Sequence, residues 1–197
     1  KGNLHTHSLW SDGDQFPEMI GDWYRTHDYN FLALTDHNVL SEGTRWMSYK
    51  TIVARSDDGI LERYRDRFGN AWVETRGEPG AASFEVRLKP LDEFRYLLEE
   101  RDQFILIPAE EISDKAEGKP VHINATNLAE VIAPAGGKTV REAMQNNLRM
   151  ILEHEKAHGR QVLPHINHPN FGWAMTAEDI AQGLEAGGTL HVHRYGN

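Results

Sequence analysis

The residues best suited to chemistry in this chain are histidines and acids gathered in short clusters. The chain opens NLHTHSLWSDG, with His5 and His7 two residues apart and Asp12 following a turn that contains Ser11 and Gly13. In a strand, residues two apart project to one face, so His5 and His7 can grip one cation from the same side. Further along stand Asp36-His37, Glu110-Glu111, His122 and the run His165-Ile166-Asn167-His168. Imidazole nitrogen and carboxylate oxygen are ligand types that suit zinc, manganese or iron. A single His-x-His pair is as readily a surface feature, and each other cluster alone could be a satisfied polar residue at a strand end. Jointly they argue otherwise. Burying so many ionisable groups together without a cation costs desolvation and carboxylate repulsion. A group of divalent cations turns each of them into a ligand.

Positioning these groups requires elements that end near one another. Phe31-Leu32-Ala33-Leu34 runs into Thr35-Asp36-His37, Phe104-Ile105-Leu106-Ile107 into Pro108-Ala109-Glu110-Glu111, Val121 precedes His122, and Val162-Leu163 leads to Pro164-His165. Short apolar runs without alternation suit buried parallel strands. Helical periodicity lies between them. Met19, Ile20, Trp23 and Tyr24 share a face over 17–27; Leu91, Phe94, Leu97 and Leu98 do so over 91–100; Val140, Met144, Leu148, Ile151 and Leu152 do so over 140–158. Thr139 with Glu142 reads as a capping box, and Thr176 with Asp179 as a looser start signal before Ile180. Strands alternating with helices predict a parallel α/β architecture, whose functional side chains sit where strands end and loops begin. The stretch 41–89 is charged and irregular, with Trp46, Tyr49, Tyr64 and Trp72 scattered through it. It reads as an elaboration of one loop, either a lid over the site or a solvated insertion.

With these stretches assembled, the sequence resembles the PHP (polymerase and histidinol phosphatase) superfamily, and within it the histidinol-phosphatase-related hydrolases. The resemblance rests on NLHTHSLWSDG, LALTDHN, IPAEEIS, VHINATN and HINHPNFGW, in that order from about residue 3 to 173. It implies a single domain over 1–197 with the α/β fold of a distorted, TIM-like (βα)7 barrel and two or three divalent metal ions (Zn, Mn or Fe) at its rim. It further implies that His5 and His7 hold one metal with a bridging Glu111, that His122 and His168 hold a second with Glu111, and that Asp12 and His37 serve a third. Glu111 is preferred to Glu110 because the family glutamate precedes an apolar-Ser/Thr pair, here Ile112-Ser113; Glu110 is then its neighbour. Asp36 is expected to orient His37 or a first-motif histidine, the supporting role carboxylates often fill. His37 and Glu111 are the expected catalytic groups together with His165, which reads as a leaving-group acid, a phosphate contact or a simple rim histidine. Asn124, Asn167 and Asn170 are candidates for substrate contact or ordinary turn residues.

The resemblance has one gap. The family closes with Asp-x-His near its C-terminus, and no such pair follows residue 170; the tail at about 183–197 is Gly-rich and carries His191 and His193 instead. The last barrel elements are therefore expected to be lacking, with His191 and His193 as possible substitute ligands and oligomerisation possible through an exposed edge. The expected activity is hydrolysis of small phosphomonoesters through a metal-bridging hydroxide. The alternatives are a phosphodiesterase or nuclease-like activity, and a metal-binding module without turnover.

Composition narrows the partners. The 197 residues are 39% hydrophobic and 26% charged, as in ordinary globular proteins, and there is no cysteine for disulfides or thiolate chemistry. The net charge of -9 argues against duplex nucleic acid, whose binding needs a basic face. No apolar run approaches the roughly 18 residues that cross a bilayer, which excludes a membrane helix. The expected partner is a small phosphorylated substrate. The compartment is open, cytoplasmic or exported after removal of an upstream signal.

Overall fold

The computed structural model of the chain describes residues 1–183 and, as backbone, 191–192. These residues form a mixed α/β fold with six α-helices, in two compact units. One unit comprises Lys1–Asp36 and Ser41–Ile107; the other comprises His37–Leu40 and the chain from Pro108 onward.

In the first unit, β1 (Gly2–Asn3) pairs in parallel with β2 (Phe31–Leu34), and α1 (Pro17–Thr26) crosses between them. Pro17 starts α1 at a position where its missing amide donor is no loss. α4 (Leu91–Leu98) packs against α1 so tightly that a Cβ on Gly21 would meet Leu98 Cδ1 at 2.7 Å. Leu32, Leu34, Phe94, Leu98, Phe104 and Leu106 form the buried core beneath. Burying a side chain such as Phe94 or Phe104 contributes roughly 2–3 kcal/mol.

The stretch 41–89 departs from the irregular loop expected. It folds into β3 (Arg45–Ser48), α2 (Tyr49–Arg55), α3 (Ile60–Phe68), β4 (Thr75–Arg76) and β5 (Glu85–Leu88), with an antiparallel sheet in the order β3-β5-β4. Most of its charges lie outside, Lys89 being buried, while Ile52, Ile60, Tyr64, Val86 and Leu88 are fully buried. The Tyr64 hydroxyl and Trp72 Nε1 both bond the buried Glu18 carboxylate on α1, the latter at 2.9 Å. Burial pushes the Glu18 carboxyl up, against the pull of these donors. The strands are too short and too heavily charged on one side for their pattern to stand out from the sequence.

In the second unit, β6 (Ile105–Ala116), which begins in the first, continues as a hairpin with β7 (Lys119–Thr126), and β8 (Leu163–Ile166) adds antiparallel to β7. The all-parallel expectation fails here for a local reason. Glu117 and Gly118 both have positive φ, 53° and 72°, and such a two-residue turn joins antiparallel strands. β9 (His191–Val192) pairs in parallel with β8; His193 and the His191 side chain lie outside the described residues.

Register then separates two faces. Ile112, Ile123 and Ile166 form one cross-strand row, while the adjacent row is Glu111, Asn124 and His165. Successive residues of a strand face opposite sides, so the isoleucine row and the Glu111 row are presented oppositely. The isoleucines pack with Val140, Ala143, Met144, Leu148 and Ile151 of α5 (Val140–His158). α5 starts with Thr139 Oγ1 accepting from Glu142 N at 3.1 Å, and α6 (Ala177–Gly183) with the reciprocal bonds of Thr176 and Asp179 at 3.0 and 3.1 Å. The apolar face thus anchors the sheet, leaving the polar row free for chemistry. Among the described residues no helix is long and apolar enough to cross a membrane.

Candidate metal centre

The first unit gathers the opening motif. His5 and His7 lie beyond the end of β1, in an extended segment rather than the strand expected, yet their Nε2 atoms are 3.1 Å apart. Their segment is keyed to the end of β2 by Thr35 N donating to Thr6 O at 2.8 Å and Thr6 N donating to Thr35 Oγ1 at 3.0 Å. Asp12 Oδ1 stands 3.1 Å from His7 Nδ1. A carboxylate on that nitrogen fixes the tautomer and leaves Nε2 as a lone-pair donor. Asp36 is buried, and its partners are Ser8 N at 2.8 Å, Ser8 Oγ at 2.7 Å and Ser11 Oγ at 2.6 Å. It therefore supports the loop after His7 rather than an imidazole ring directly.

The same loop explains Gly13. A Cβ there would come within 2.6 Å of the carbonyl carbon and oxygen of His7, both backbone atoms that have no room to yield. Gly13→Ala is therefore expected to cost about 1–3 kcal/mol, the usual range for forced overpacking, and to displace His7. Urea denaturation reads the first effect. An unchanged midpoint would show that the loop is not held this closely.

The second unit builds its cluster around Glu111, whose side chain is fully buried in the middle of β6 rather than at a strand end. His37 Nδ1 lies 2.9 Å from Glu111 Oε2; His122 Nδ1 lies 3.3 Å and His168 Nε2 3.2 Å from Oε1. Potential ligand atoms of His37, Glu111 and His122 all fall within 4.8 Å of one another. His122 sits mid-strand in β7, in register with Ser113. His168 follows β8 with φ of 29°, a conformation that costs a non-glycine residue free energy and points its ring back at Glu111.

Two amides hold the carboxylate. Asn167 Nδ2 donates to Glu111 Oε1 at 2.6 Å and to Asn124 Oδ1 at 2.5 Å, and Asn124 Nδ2 lies 3.4 Å from His165 Nε2. Asn124, Asn167 and His165 are all buried, so this is an internal chain of polar contacts ending on Glu111. Asn170 is exposed at the start of a single 3-10 turn, Phe171–Trp173. Glu110 faces the other side of the sheet, where its Oε1 accepts from Ile132 N at 2.6 Å.

Asn38 and Ser113 carry roles at the site that the sequence did not assign to them. Asn38 N donates to Glu111 O at 3.0 Å, its Oδ1 accepts from Ser113 N at 2.7 Å, and its Nδ2 donates to Ser113 O at 3.1 Å. Ser113 Oγ also touches His37 Nδ1. Asn38 thus clamps His37 beside Glu111 from a left-handed backbone position, φ 52°, that Asn tolerates well. The dipeptide His37-Asn38 was the available signal.

The donor set fits a divalent cation. Neighbouring ligands around an ion with bonds of about 2.1 Å stand about 3.0–3.4 Å apart, and the contacts to Glu111 span that range. A lone pair facing a carboxylate at that distance is repulsive, and a shared cation converts both into ligands. His122 Nδ1 is buried with no hydrogen-bond partner, which is the condition expected of a nitrogen intended for a metal.

No protein-family model and no curated protein matches the chain. Among solved structures it is similar to a two-domain protein of Bacteroides vulgatus ATCC 8482 described as containing a predicted PHP-like metal-dependent phosphoesterase, with 18% identity and a TM-score of 0.43. The match covers 92% of this chain and 40% of that one, so the present chain spans well under half the length of that protein.

Proposed function

We propose that the Glu111 cluster binds divalent metal and that the protein is a metal-dependent hydrolase acting on small phosphomonoesters. The observation that carries this reading is the convergence of His37, His122 and His168, from three separate segments, on one fully buried carboxylate. His37, His122, His168 and Glu111 would hold the ion, and His5 with His7 are the proposed ligands of the first unit. When bound, such an ion supplies Lewis acidity toward water and toward phosphoryl oxygen.

The chain's own residues set the conditions for this chemistry. The Asn167 and Asn124 amides fix the rotamer of Glu111 and leave Oε2 facing His37. Accessibility grades across the cluster: the Glu111 side chain is 0% exposed, that of His168 14%, His122 20% and His37 30%. Substrate is thus received on the His37 and His122 side while water is kept from the carboxylate. His165, at the far end of the amide chain, acts in this reading by positioning Asn124.

Phosphomonoester hydrolysis is tested by comparing phenyl phosphate with diphenyl phosphate on protein reconstituted with zinc, manganese or iron. Turnover of the monoester that disappears on chelation and returns with metal is expected. Turnover surviving in metal-free protein, or a preference for the diester, would overturn the proposal.

A further inference from the structure

Beyond the cluster, the β6–β7 hairpin borders an open cleft of about 530 Å³ lined by Ser113, Asp114, Lys115, Lys119, Pro120 and His122, among others. Its volume is that of a small-molecule site, and it shares His122 with the candidate metal centre. The sheet register orders what lies along it. Ser113 faces His122 across the hairpin, and Lys115 faces Pro120 one row further out. Same-face residues of a strand are about 6.8 Å apart, so Lys115 begins one such step beyond the Ser113–His122 row.

The charges of the hairpin are unevenly committed. Asp114 Oδ2 accepts from Gly136 N and Asn147 Nδ2, each at 2.8 Å, its Oδ1 accepts from Lys115 N at 2.8 Å, and Glu117 Oε2 accepts from Val140 N at 3.1 Å. Both hairpin carboxylates are thereby tied to amide donors. Among the described residues neither Lys115 nor Lys119 has an ion pair. In a chain of net charge -9, Lys115 stands one row from His122 with the neighbouring hairpin carboxylates engaged elsewhere, whereas Lys119 pairs with Ala116 in the row that faces the opposite side and interacts with Asp179.

We propose that this cleft is a second substrate subsite, in which Lys115 receives a second anionic group of the phosphomonoester. The substrate class is then a phosphate ester whose leaving group carries a carboxylate or another anion on the order of 7 Å from phosphorus, the spacing between strand rows. This inference rests on the phosphomonoesterase reading for turnover, but not for binding.

A matched pair of ligands separates the two claims. Calorimetry with benzylphosphonate and 4-carboxybenzylphosphonate reads binding without any hydrolysis. The wild-type protein is expected to prefer the carboxylated ligand about twofold to fivefold at low salt, as an exposed charge contact allows. Lys115→Ala should bring that ratio close to one, and Lys119→Ala, on the opposite side of the hairpin, should leave it unchanged. Equal affinities in the wild type, or a ratio that survives Lys115→Ala, would overturn the subsite. The KM ratio for phenyl phosphate and 4-carboxyphenyl phosphate should follow the same pattern. Absence of hydrolysis with the binding ratio intact would reject the phosphatase reading while leaving the subsite standing.

Discussion

Glu111→Gln is expected to abolish metal binding at the second unit's cluster and to lower phosphomonoester turnover by on the order of 10³-fold. The substitution keeps volume and removes charge, so packing in β6 is disturbed little. What it removes is the one anion on which His37, His122 and His168 converge. Loss of a supporting residue around a metal ligand costs about 10–100-fold, and loss of the shared ligand itself should exceed that. The amide also offers one acceptor oxygen where the carboxylate offered two, so the Asn167 Nδ2 contact at 2.6 Å competes with the metal for it. Metal content by elemental analysis and kcat/KM for phenyl phosphate are the two readouts. Retention of full metal content by Glu111→Gln would remove Glu111 from the centre.

Glu110→Gln should have the largest effect on stability, and the effect should depend on pH. Glu110 is fully buried, its Oε2 has no hydrogen-bond partner, and burial pushes its carboxyl up to about 7. An unfolded glutamate titrates near 4.3. Between these values the folded chain holds a proton that the unfolded chain has released, so stability is full below about pH 4.3 and falls as pH rises through 7. The total loss is about 4 kcal/mol by linkage. Glutamine keeps an acceptor for Ile132 N and carries no charge. The variant is therefore expected to match wild type near pH 4 and to exceed it by up to about 4 kcal/mol at pH 8. Urea denaturation of metal-free protein across this range measures the difference. A difference that stays flat with pH would show that Glu110 does not titrate on unfolding.

The parts legible in the sequence were those carried by periodicity or residue type. The helices expected over 17–27, 91–100 and 140–158 form as α1, α4 and α5; the α5 stripe faces a core, whereas Trp23 of the α1 stripe and Leu97 of the α4 stripe are exposed. The turn at Glu117-Gly118 has only its glycine as a signal, without the Asn-Gly or Asp-Gly pair that marks a two-residue hairpin. Its consequence is that Glu111 and His122 lie within antiparallel strands and reach the cluster by facing one side of a sheet, not by standing at strand ends. The imidazoles and carboxylates could be named from their chemistry alone. The supports could not. Asn38, Asn124 and Asn167 act through single hydrogen bonds to particular atoms, and such contacts leave no repeat or spacing in the chain. The folded stretch 41–89 was hidden similarly, since Glu18 meets Tyr64 and Trp72 only after α3 has packed onto α1.

X-ray absorption at the metal edge of reconstituted protein, with the metal counted per chain, tests the central claim most directly. Bound zinc or manganese should show imidazole nitrogen in its ligand shell, and His122→Ala should lower that nitrogen count. A stoichiometrically bound ion surrounded only by oxygen, or no retained ion after exhaustive reconstitution, would contradict the account.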